Sequence, residues 1–248
     1  MADSTRNNAD PDEIARFAAM ADTWWDPQGP MRPLHRLNPT RLAWLRDTIA
    51  SHFGRDVRVP PALSGLSLLD IGCGAGLVSE PMSRMGATVT GLDLSQETIS
   101  AARHHADAGG LTIAYRAGSA EDLAATGATF DVVLALEVVE HVPDVPAFVG
   151  TCARLVAPGG LLLASTINRT GKAYALAIVG AEYVLRWLPR GTHRFDRLVT
   201  PSELSAAMRA GGLTPLAETG VAFNPLRNAW TLARDMDVNY MMAAARKA

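Results

Sequence analysis

The stretch LLDIGCGAG, residues 68–76, decides the fold of this chain. It joins an apolar run of strand character to a helical pattern, and its glycines occupy the alternate positions 72, 74 and 76. Glycine adopts backbone angles that are closed to other residues, and it lets a ligand approach the main chain at the positive end of a helix. The stretch therefore predicts a strand, a tight ligand-binding turn and a helix.

Outward from this turn, apolar runs of strand character alternate with helical patterns. The strand-like runs are 66–71, 88–92, 111–115, 130–136 and 160–165, and the helical patterns between them lie near 77–85, 96–108 and 145–155. Such alternation predicts a parallel sheet with helices on both faces. Two later runs, 213–223 and 239–244, are close enough in sequence to pair antiparallel at the sheet edge. We expect an α/β, Rossmann-like fold with a mixed seven-stranded sheet.

The segments around this core suggest two units. Residues 1–60 contain helical patterns at 12–23 and 39–53, separated by a polar, proline-rich stretch, and we expect this helical segment to act as a lid over the binding cleft. Residues 61–248 form the ligand-binding domain, with an insert at 168–194 that breaks the alternation. After the insert, Thr200 and Glu203 have the spacing of a capping box at a helix start.

The composition excludes several classes of protein. The chain has 248 residues, of which 48% are hydrophobic and 19% charged, so it is typical of globular proteins. A net charge of -2 provides no broad basic face, and we expect no nucleic-acid partner. Cys73 and Cys152 are too few for a disulfide framework or a zinc site, which favours a cytoplasmic setting. Charged residues interrupt the longest apolar stretch, 173–188, so we expect no membrane span.

Two carboxylates select the class of cofactor. Asp93 ends the second strand about 20 residues after the glycines, where such sheets hydrogen-bond a ribose. Asp70 lies immediately before the glycine turn, where it would repel the pyrophosphate of a dinucleotide, and the glycine spacing also differs from the dinucleotide pattern. A cofactor with cationic groups fits better, and S-adenosylmethionine carries an ammonium and a sulfonium. The alternative is that the glycines only shape a tight turn.

Three motifs carry a resemblance to the class I S-adenosylmethionine-dependent methyltransferases. They are LLDIGCGAG at 68–76, TGLD at 90–93 and LVAPGG at 155–160. The resemblance implies the Rossmann-like class I methyltransferase fold. It also implies that Asp70, Gly72 and Gly74 surround the methionine part of the cofactor, that Asp93 holds the ribose hydroxyls, and that Leu136 packs near the methyl donor.

The chain departs from this family pattern at one position. Ser119 stands where many relatives carry an aspartate that contacts adenine. Adenine recognition is therefore left to backbone groups or to the neighbouring Glu121 and Asp122.

A narrower resemblance extends over nearly the whole chain. The segments that resemble the ubiquinone biosynthesis O-methyltransferase subfamily are WWD (24–26), PLHRLNPTR (33–41), EVVEHVPD (137–144), NRTGK (168–172), VGAEYVLRWLPRGTH (179–193) and DVNYM (237–241). The resemblance implies that Arg41 contacts the cofactor carboxylate and that Glu137, Glu140 and His141 hold a divalent cation. It implies two O-methylations of polyprenylated, catechol-like intermediates.

The chemistry of a phenol gives an independent reason to expect this cluster. A phenol with a pKa near ~10 is mostly protonated at neutral pH, which costs roughly 4 kcal/mol in forming the attacking phenolate. Either a bound cation or a side-chain base must remove that proton, and we take His141 and Glu140 as the catalytic candidates. On one helical turn, Glu137, Glu140 and His141 would share a face and suit Mg²⁺ or Mn²⁺, with Zn²⁺ and Fe²⁺ as alternatives. The other interpretation is that the glutamates only begin a helix and that His141 is a loop residue.

The insert addresses the problem of a lipid-like substrate, because a polyprenyl tail is not presented from water. Its apolar stripe at helical spacing consists of Tyr174, Ile178, Ala181, Leu185 and Leu188, and basic residues surround the stripe. We expect 171–189 to make a peripheral contact with the inner membrane, although such a helix can also pack on its own domain. Methylation of another small phenol and a non-catalytic, cofactor-binding role in a biosynthetic complex are the alternative functions.

Overall fold

The computed structural model describes residues 14–15, 18–176, 194–224 and 229–248. Their strands are β1 (Ser67–Ile71), β2 (Thr88–Asp93), β3 (Ala114–Ala117), β4 (Phe130–Leu136), β5 (Val156–Ile167), β6 (Leu213–Asn224), β7 (Ala229–Ala233) and β8 (Asn239–Arg246). They form one eight-stranded sheet in the order β3-β2-β1-β4-β5-β8-β6-β7. The strands β1 to β5 pair in parallel, whereas β8 is antiparallel to both β5 and β6. The predicted α/β class and mixed sheet are confirmed.

The prediction of seven strands is wrong, because β7 adds an eighth at the edge of the sheet. β7 pairs antiparallel with β6, from Gly220 with Ala233 to Asn224 with Ala229. Its side chains are partly buried or exposed and do not alternate between buried and exposed positions. The sequence AWTLA therefore carries no period-2 pattern, and its strand conformation depends on the partner strand.

The helices are α1 (Arg32–His52), α2 (Ser79–Arg84), α3 (Gln96–Ala108), α4 (Ala120–Ala125), α5 (Val145–Leu155), α6 (Gly171–Ala173) and α7 (Pro201–Ala210). The predicted capping box of α7 is present, since the Thr200 side chain accepts a hydrogen bond from the Glu203 amide and the Glu203 carboxylate accepts one from the Thr200 amide. α1 begins earlier than the sequence predicted. Pro33 lies in its first turn, where a missing N–H costs nothing, and Pro39 lies inside the helix.

The sheet has an apolar layer on each face. On one face, Leu45 and Ile49 of α1 and Met82 of α2 pack against β1, β4 and β5. On the other face, residues of α5 and α7 pack against the same strands. Because β1, β2, β4 and β5 run in parallel, their carboxyl ends lie at one edge of the sheet. This edge carries Asp70, Asp93 and Leu136. The helix α1 packs on the same face of the sheet as the Leu136 side chain.

Candidate functional site

The glycine turn after β1 has the conformation that its sequence predicts. Gly72, Gly74 and Gly76 all have positive φ angles, and the Gly72 amide donates to the Leu92 carbonyl oxygen at 2.8 Å. A Cβ on Gly74 would lie 2.4 Å from Cζ2 of Trp24, so only glycine fits beneath this ring. The turn is thereby enclosed between the end of β2 and the tryptophan.

Asp93 shapes the same turn from the end of β2. Its Oδ2 accepts a hydrogen bond from the Gly74 amide at 3.1 Å, and its Oδ1 accepts one from the Ser95 amide at 2.9 Å. Burial raises the pKa of Asp93, and these two hydrogen bonds oppose the rise. The carboxylate is thus fixed beside the glycines, and its contact with a ribose stays a prediction.

Asp70 is a buried carboxylate at the carboxyl end of β1, with 2% of its surface exposed. Its Oδ2 accepts a hydrogen bond from Ser79 Oγ at 2.6 Å. Burial raises the pKa of Asp70 to about 6, while Ser79 and the charge of Arg41 favour the ionised form. A cationic ligand would lower the free energy of this buried negative charge.

Arg41 supplies the opposite charge from α1 and is 3% exposed. Its Nη2 donates to Oδ1 of Asn38, and its Nη1 lies 3.6 Å from Oε1 of Glu137. Neither Nε nor Nη1 has a hydrogen-bond acceptor among the described residues. Burial lowers the pKa of Arg41, although nearby carboxylates oppose this shift. A buried guanidinium with unused donors fits an anionic group of a ligand.

Ser119, which stands where many relatives carry an aspartate, has a local structural role. Its Oγ accepts a hydrogen bond from the Asp122 amide at 3.0 Å and donates to Asp122 Oδ2 at 2.7 Å, so it caps α4. Asp122 is engaged in the same cap. The part of the predicted adenine site formed by these two residues is therefore occupied by hydrogen bonds within the chain.

Glu137 directly follows β4 and has a φ of 54°, the left-handed region that glycine usually occupies. Its amide donates to the Ser165 carbonyl oxygen at 3.0 Å, and its Oε1 accepts a hydrogen bond from Ser165 Oγ at 2.6 Å. Strained backbone of this kind is common at functional sites. The end of β5 thus holds Glu137 close to Arg41.

Glu140 lies next to Glu137 and His141 and is 4% exposed. Its Oε2 accepts a hydrogen bond from Thr166 Oγ1 at 2.7 Å, and its Oε1 has no hydrogen-bond partner among the described residues. Burial and the negative charge of Glu137 raise the pKa of Glu140 to about 6, while His141 opposes the shift. This places a protonatable carboxyl beside His141.

The helical turn predicted for 137–141 is wrong, because this segment is a non-helical turn and α5 starts at Val145. The His141 amide donates to the Val138 carbonyl oxygen. In the described part of the chain, no three His, Cys, Asp or Glu side chains are grouped so that they could hold a metal ion. Glu137 is already engaged by Ser165 and lies close to Arg41. As arranged here, Glu137, Glu140 and His141 do not fit a three-ligand cation site.

The N-terminal segment covers the glycine turn. Trp25 donates from Nε1 to the Ala75 carbonyl oxygen at 2.9 Å, and its ring stacks on His105 with centroids 3.5 Å apart. The His35 Nε2 lies 3.0 Å from the Trp24 carbonyl oxygen. The described residues of the predicted lid therefore contact the predicted cofactor turn directly.

The sequence analysis missed several residues that hold the site together. They are Asn38, Ser79, His105, Ser165 and Thr166. Asn38 binds Arg41 of its own helix, and each of the others contacts a residue from another element or turn. The sequence marked three of them only by their place in the chain. Asn38 lies within PLHRLNPTR, and Ser165 and Thr166 lie at the end of the strand that contains LVAPGG. Most of the predicted apolar stripe lies outside the described residues.

Comparisons with known proteins identify the family of this chain. A family model described as a methyltransferase domain matches residues 69–164. The ubiquinone biosynthesis O-methyltransferase of Sinorhizobium fredii is 56% identical over 246 residues, which cover 99% of each chain. The protein of the same name from Methylobacterium nodulans is 55% identical, with 99% of each chain covered. The chain belongs to the ubiquinone biosynthesis O-methyltransferase family.

The ubiquinone biosynthesis O-methyltransferase resemblance inferred from the sequence is thereby confirmed. A solved structure, magnesium protoporphyrin IX methyltransferase from Synechocystis with bound SAH, shares the fold at a TM-score of 0.62. It is 21% identical, and the match covers 95% of this chain and 93% of that one. Among the described residues of this family member, no helix has both the length and the hydropathy needed to span a bilayer.

Proposed function

We propose that the protein transfers methyl groups from S-adenosylmethionine to phenolic hydroxyls of polyprenylated, catechol-like intermediates in ubiquinone biosynthesis, in both O-methylation steps. Family membership over the full length supports the reaction class. The observation that carries the cofactor assignment is the pair of buried, opposite charges at the carboxyl edge of the sheet. Asp70 matches the ammonium and sulfonium of the cofactor, and Arg41 matches its carboxylate.

The remaining cofactor contacts follow from the same edge. Gly72 and Gly74 let the methionine part approach the backbone, Asp93 faces the ribose hydroxyls, and Leu136 packs beside the methyl donor. Trp24 and Trp25 exclude water from the turn. In this arrangement the protein aligns the cofactor, and the sulfonium itself makes the methyl group reactive.

The transfer step needs a deprotonated acceptor. His141 removes the phenolic proton, and the neighbouring Glu140 stabilises the imidazolium that forms. The phenolate oxygen then attacks the methyl carbon in line with the sulfur. An O–C bond forms, the C–S bond breaks, and S-adenosylhomocysteine leaves with the electron pair on sulfur. Holding the oxygen at ~3 Å behind the methyl group supplies the contribution of proximity and orientation to the rate.

A magnesium requirement is the finer part of the proposal, and no step above depends on it. The support for it is donor chemistry alone: carboxylate oxygens such as those of Glu137 and Glu140 are ligands that Mg²⁺ prefers, although their present arrangement does not form a three-ligand site with His141. Assays in excess chelator, with and without added Mg²⁺, distinguish the two cases. Full activity in chelator assigns the proton transfer to His141 alone.

The place of action follows from the acceptor. A polyprenyl tail stays in a bilayer, so the enzyme must work from the cytoplasmic side as a peripheral protein of the inner membrane. We assign this contact to residues 171–189, and Tyr174 and Leu176 at the start of the segment are exposed. Membership of a ubiquinone biosynthetic complex would serve the same purpose.

The experiment that tests the proposed function is incubation with methyl-labelled S-adenosylmethionine and a short-tailed demethylubiquinol, followed by mass analysis. We expect a product with one labelled methyl group on oxygen. Equal rates with a catechol that has no tail would point to another small phenol as the acceptor. Cofactor binding without any methylation would point to a non-catalytic subunit.

A further inference from the structure

Asn38 connects the buried arginine to the cofactor turn. It lies one helical turn before Arg41 in α1 and is 7% exposed. Its Oδ1 accepts a hydrogen bond from Arg41 Nη2, and its Nδ2 donates to the Leu77 carbonyl oxygen at 3.2 Å. Leu77 directly follows the glycine turn. One amide side chain therefore joins the guanidinium to the backbone beside the cofactor site.

Arg41 has carboxylates on more than one side. The largest attraction comes from Glu137, whose Oε1 lies 3.6 Å from Arg41 Nη1, followed by Asp70 and Glu140. In a buried site such attractions are poorly screened, and a closer ion pair with Glu137 is the obvious competing arrangement. Nevertheless, Nη1 and Nε make no hydrogen bond within the described residues.

We propose that Asn38 is a positioning residue that keeps the ion pair of Arg41 with Glu137 at 3.6 Å, too long for a hydrogen bond, so that Nη1 and Nε stay open for the carboxylate of the cofactor. This inference rests on the proposed function, and Asn38 acts only through Arg41. A neutral amide suits the task, because it fixes Nη2 without neutralising the positive charge. Without it, Arg41 would close onto Glu137 and lose affinity for a ligand carboxylate.

The test compares two ligands that differ only in the carboxylate. Calorimetry measures binding of S-adenosylhomocysteine and of its decarboxylated analogue, S-adenosyl-3-thiopropylamine. The wild-type protein is expected to prefer S-adenosylhomocysteine. Asn38→Ala is expected to reduce that preference roughly tenfold, which corresponds to about 1.4 kcal/mol. Binding of the decarboxylated analogue should change by less than about twofold, since that ligand does not use Arg41.

Thr40→Val is the matched control on the same helix. Thr40 also donates from its side chain to a distant carbonyl oxygen, that of Trp230 at 2.9 Å, but this hydrogen bond does not involve the guanidinium of Arg41. We expect this variant to keep the wild-type preference between the two ligands. A loss of preference in Thr40→Val equal to that in Asn38→Ala would overturn the inference, because it would mean that any loosening of α1 is sufficient.

A double variant separates positioning from structural support. In the double variant, Glu137→Gln is added to Asn38→Ala and removes the competing negative charge. This variant should regain most of the preference for S-adenosylhomocysteine. If Asn38→Ala fails to fold, Asn38→Asp keeps an acceptor for Nη2 but places a negative charge against Arg41, and the preference should again fall.

Three results would overturn the proposal. They are an unchanged preference in the Asn38 variants, an equal loss of affinity for both ligands, and no restoration in the double variant. A wild-type protein that binds both ligands equally would instead contradict the proposed role of Arg41 itself, and the inference would fall with it.

Discussion

At the scale of single residues, the site contains two carboxyl groups whose ionised form is disfavoured by burial. Asp70 and Glu140 are both buried, and each has a pKa of about 6 in the folded chain. Their values in an unfolded chain are near ~3.9 and ~4.3. Between these limits the folded state binds more protons than the unfolded state, so stability falls as pH rises from about 4 to about 6. The ligand-free protein is therefore least favourably charged where it must bind a cation.

The first prediction follows from this fall of stability with rising pH. The free energy of unfolding of the ligand-free protein should be higher at pH 5 than at pH 7, and Asp70→Asn should flatten that difference. The contribution of each carboxyl is on the order of 2 kcal/mol. Urea titrations at both pH values measure it. If the free energy of unfolding of the wild-type protein instead rises from pH 5 to pH 7, the account of raised pKa values for Asp70 and Glu140 is contradicted.

The second prediction concerns the base. His141→Ala should lower kcat by about 10² to 10⁴, with little change in the affinity for S-adenosylhomocysteine, because the side chain acts on the acceptor. Stopped assays at saturating cofactor, together with calorimetry, provide both values. A variant that keeps wild-type kcat would remove His141 from the mechanism.

Residue-level roles were predictable where residues share a motif or where a family resemblance covers them. Asp70, Gly72 and Gly74 lie in one motif, and the structure places them together. Ser165 was not predictable, because its contact with Glu137 depends on the pairing of β4 with β5. The metal cluster was implied by the family resemblance and supported by helical spacing, and the left-handed conformation of Glu137 breaks that spacing.

At the scale of elements, the glycine turn and the tryptophan above it form one unit. Gly74 has a φ of +54°, and a Cβ there would meet Trp24 at 2.4 Å. Gly54 has a φ of +62° with no atom within 4 Å of its Cβ position. Both positions have a positive φ that strains any residue with a Cβ. Only Gly74 also has a close contact at its Cβ position.

The third prediction uses this matched pair. Gly54→Ala should cost about 1 to 2 kcal/mol of stability from backbone strain alone. Gly74→Ala should cost about 1 to 3 kcal/mol more, because the methyl group displaces Trp24, and it should weaken cofactor binding. Thermal unfolding and calorimetry test both effects. Equal costs for the two substitutions would mean that Trp24 does not close on the turn.

The fold was predictable to the level of its alternating elements. The parallel strands have their own apolar runs, and the helices between them have their own periodicity. β7 was not predictable, because its partly exposed side chains give no pattern and β6 supplies its hydrogen bonds. The early start of α1 was missed for a similar reason, since prolines obscure a helix whose first turn accepts them.

At the scale of the whole molecule, the proposed function assigns the cofactor and the polyprenylated acceptor to different parts of the chain. The fourth prediction is that deleting residues 171–189 abolishes co-sedimentation with anionic liposomes and leaves S-adenosylhomocysteine binding within about threefold of wild type. Sedimentation and calorimetry on one preparation measure both. Liposome binding that survives the deletion would place the membrane contact elsewhere.

The central claim is that a buried carboxylate at the end of β1 selects a cationic cofactor over a phosphate-bearing one. Its most direct test is calorimetry at pH 7 with S-adenosylhomocysteine and with NAD, on the wild-type protein. We predict tight binding of S-adenosylhomocysteine and no detectable binding of NAD. Tight binding of NAD together with no binding of S-adenosylhomocysteine would contradict the account.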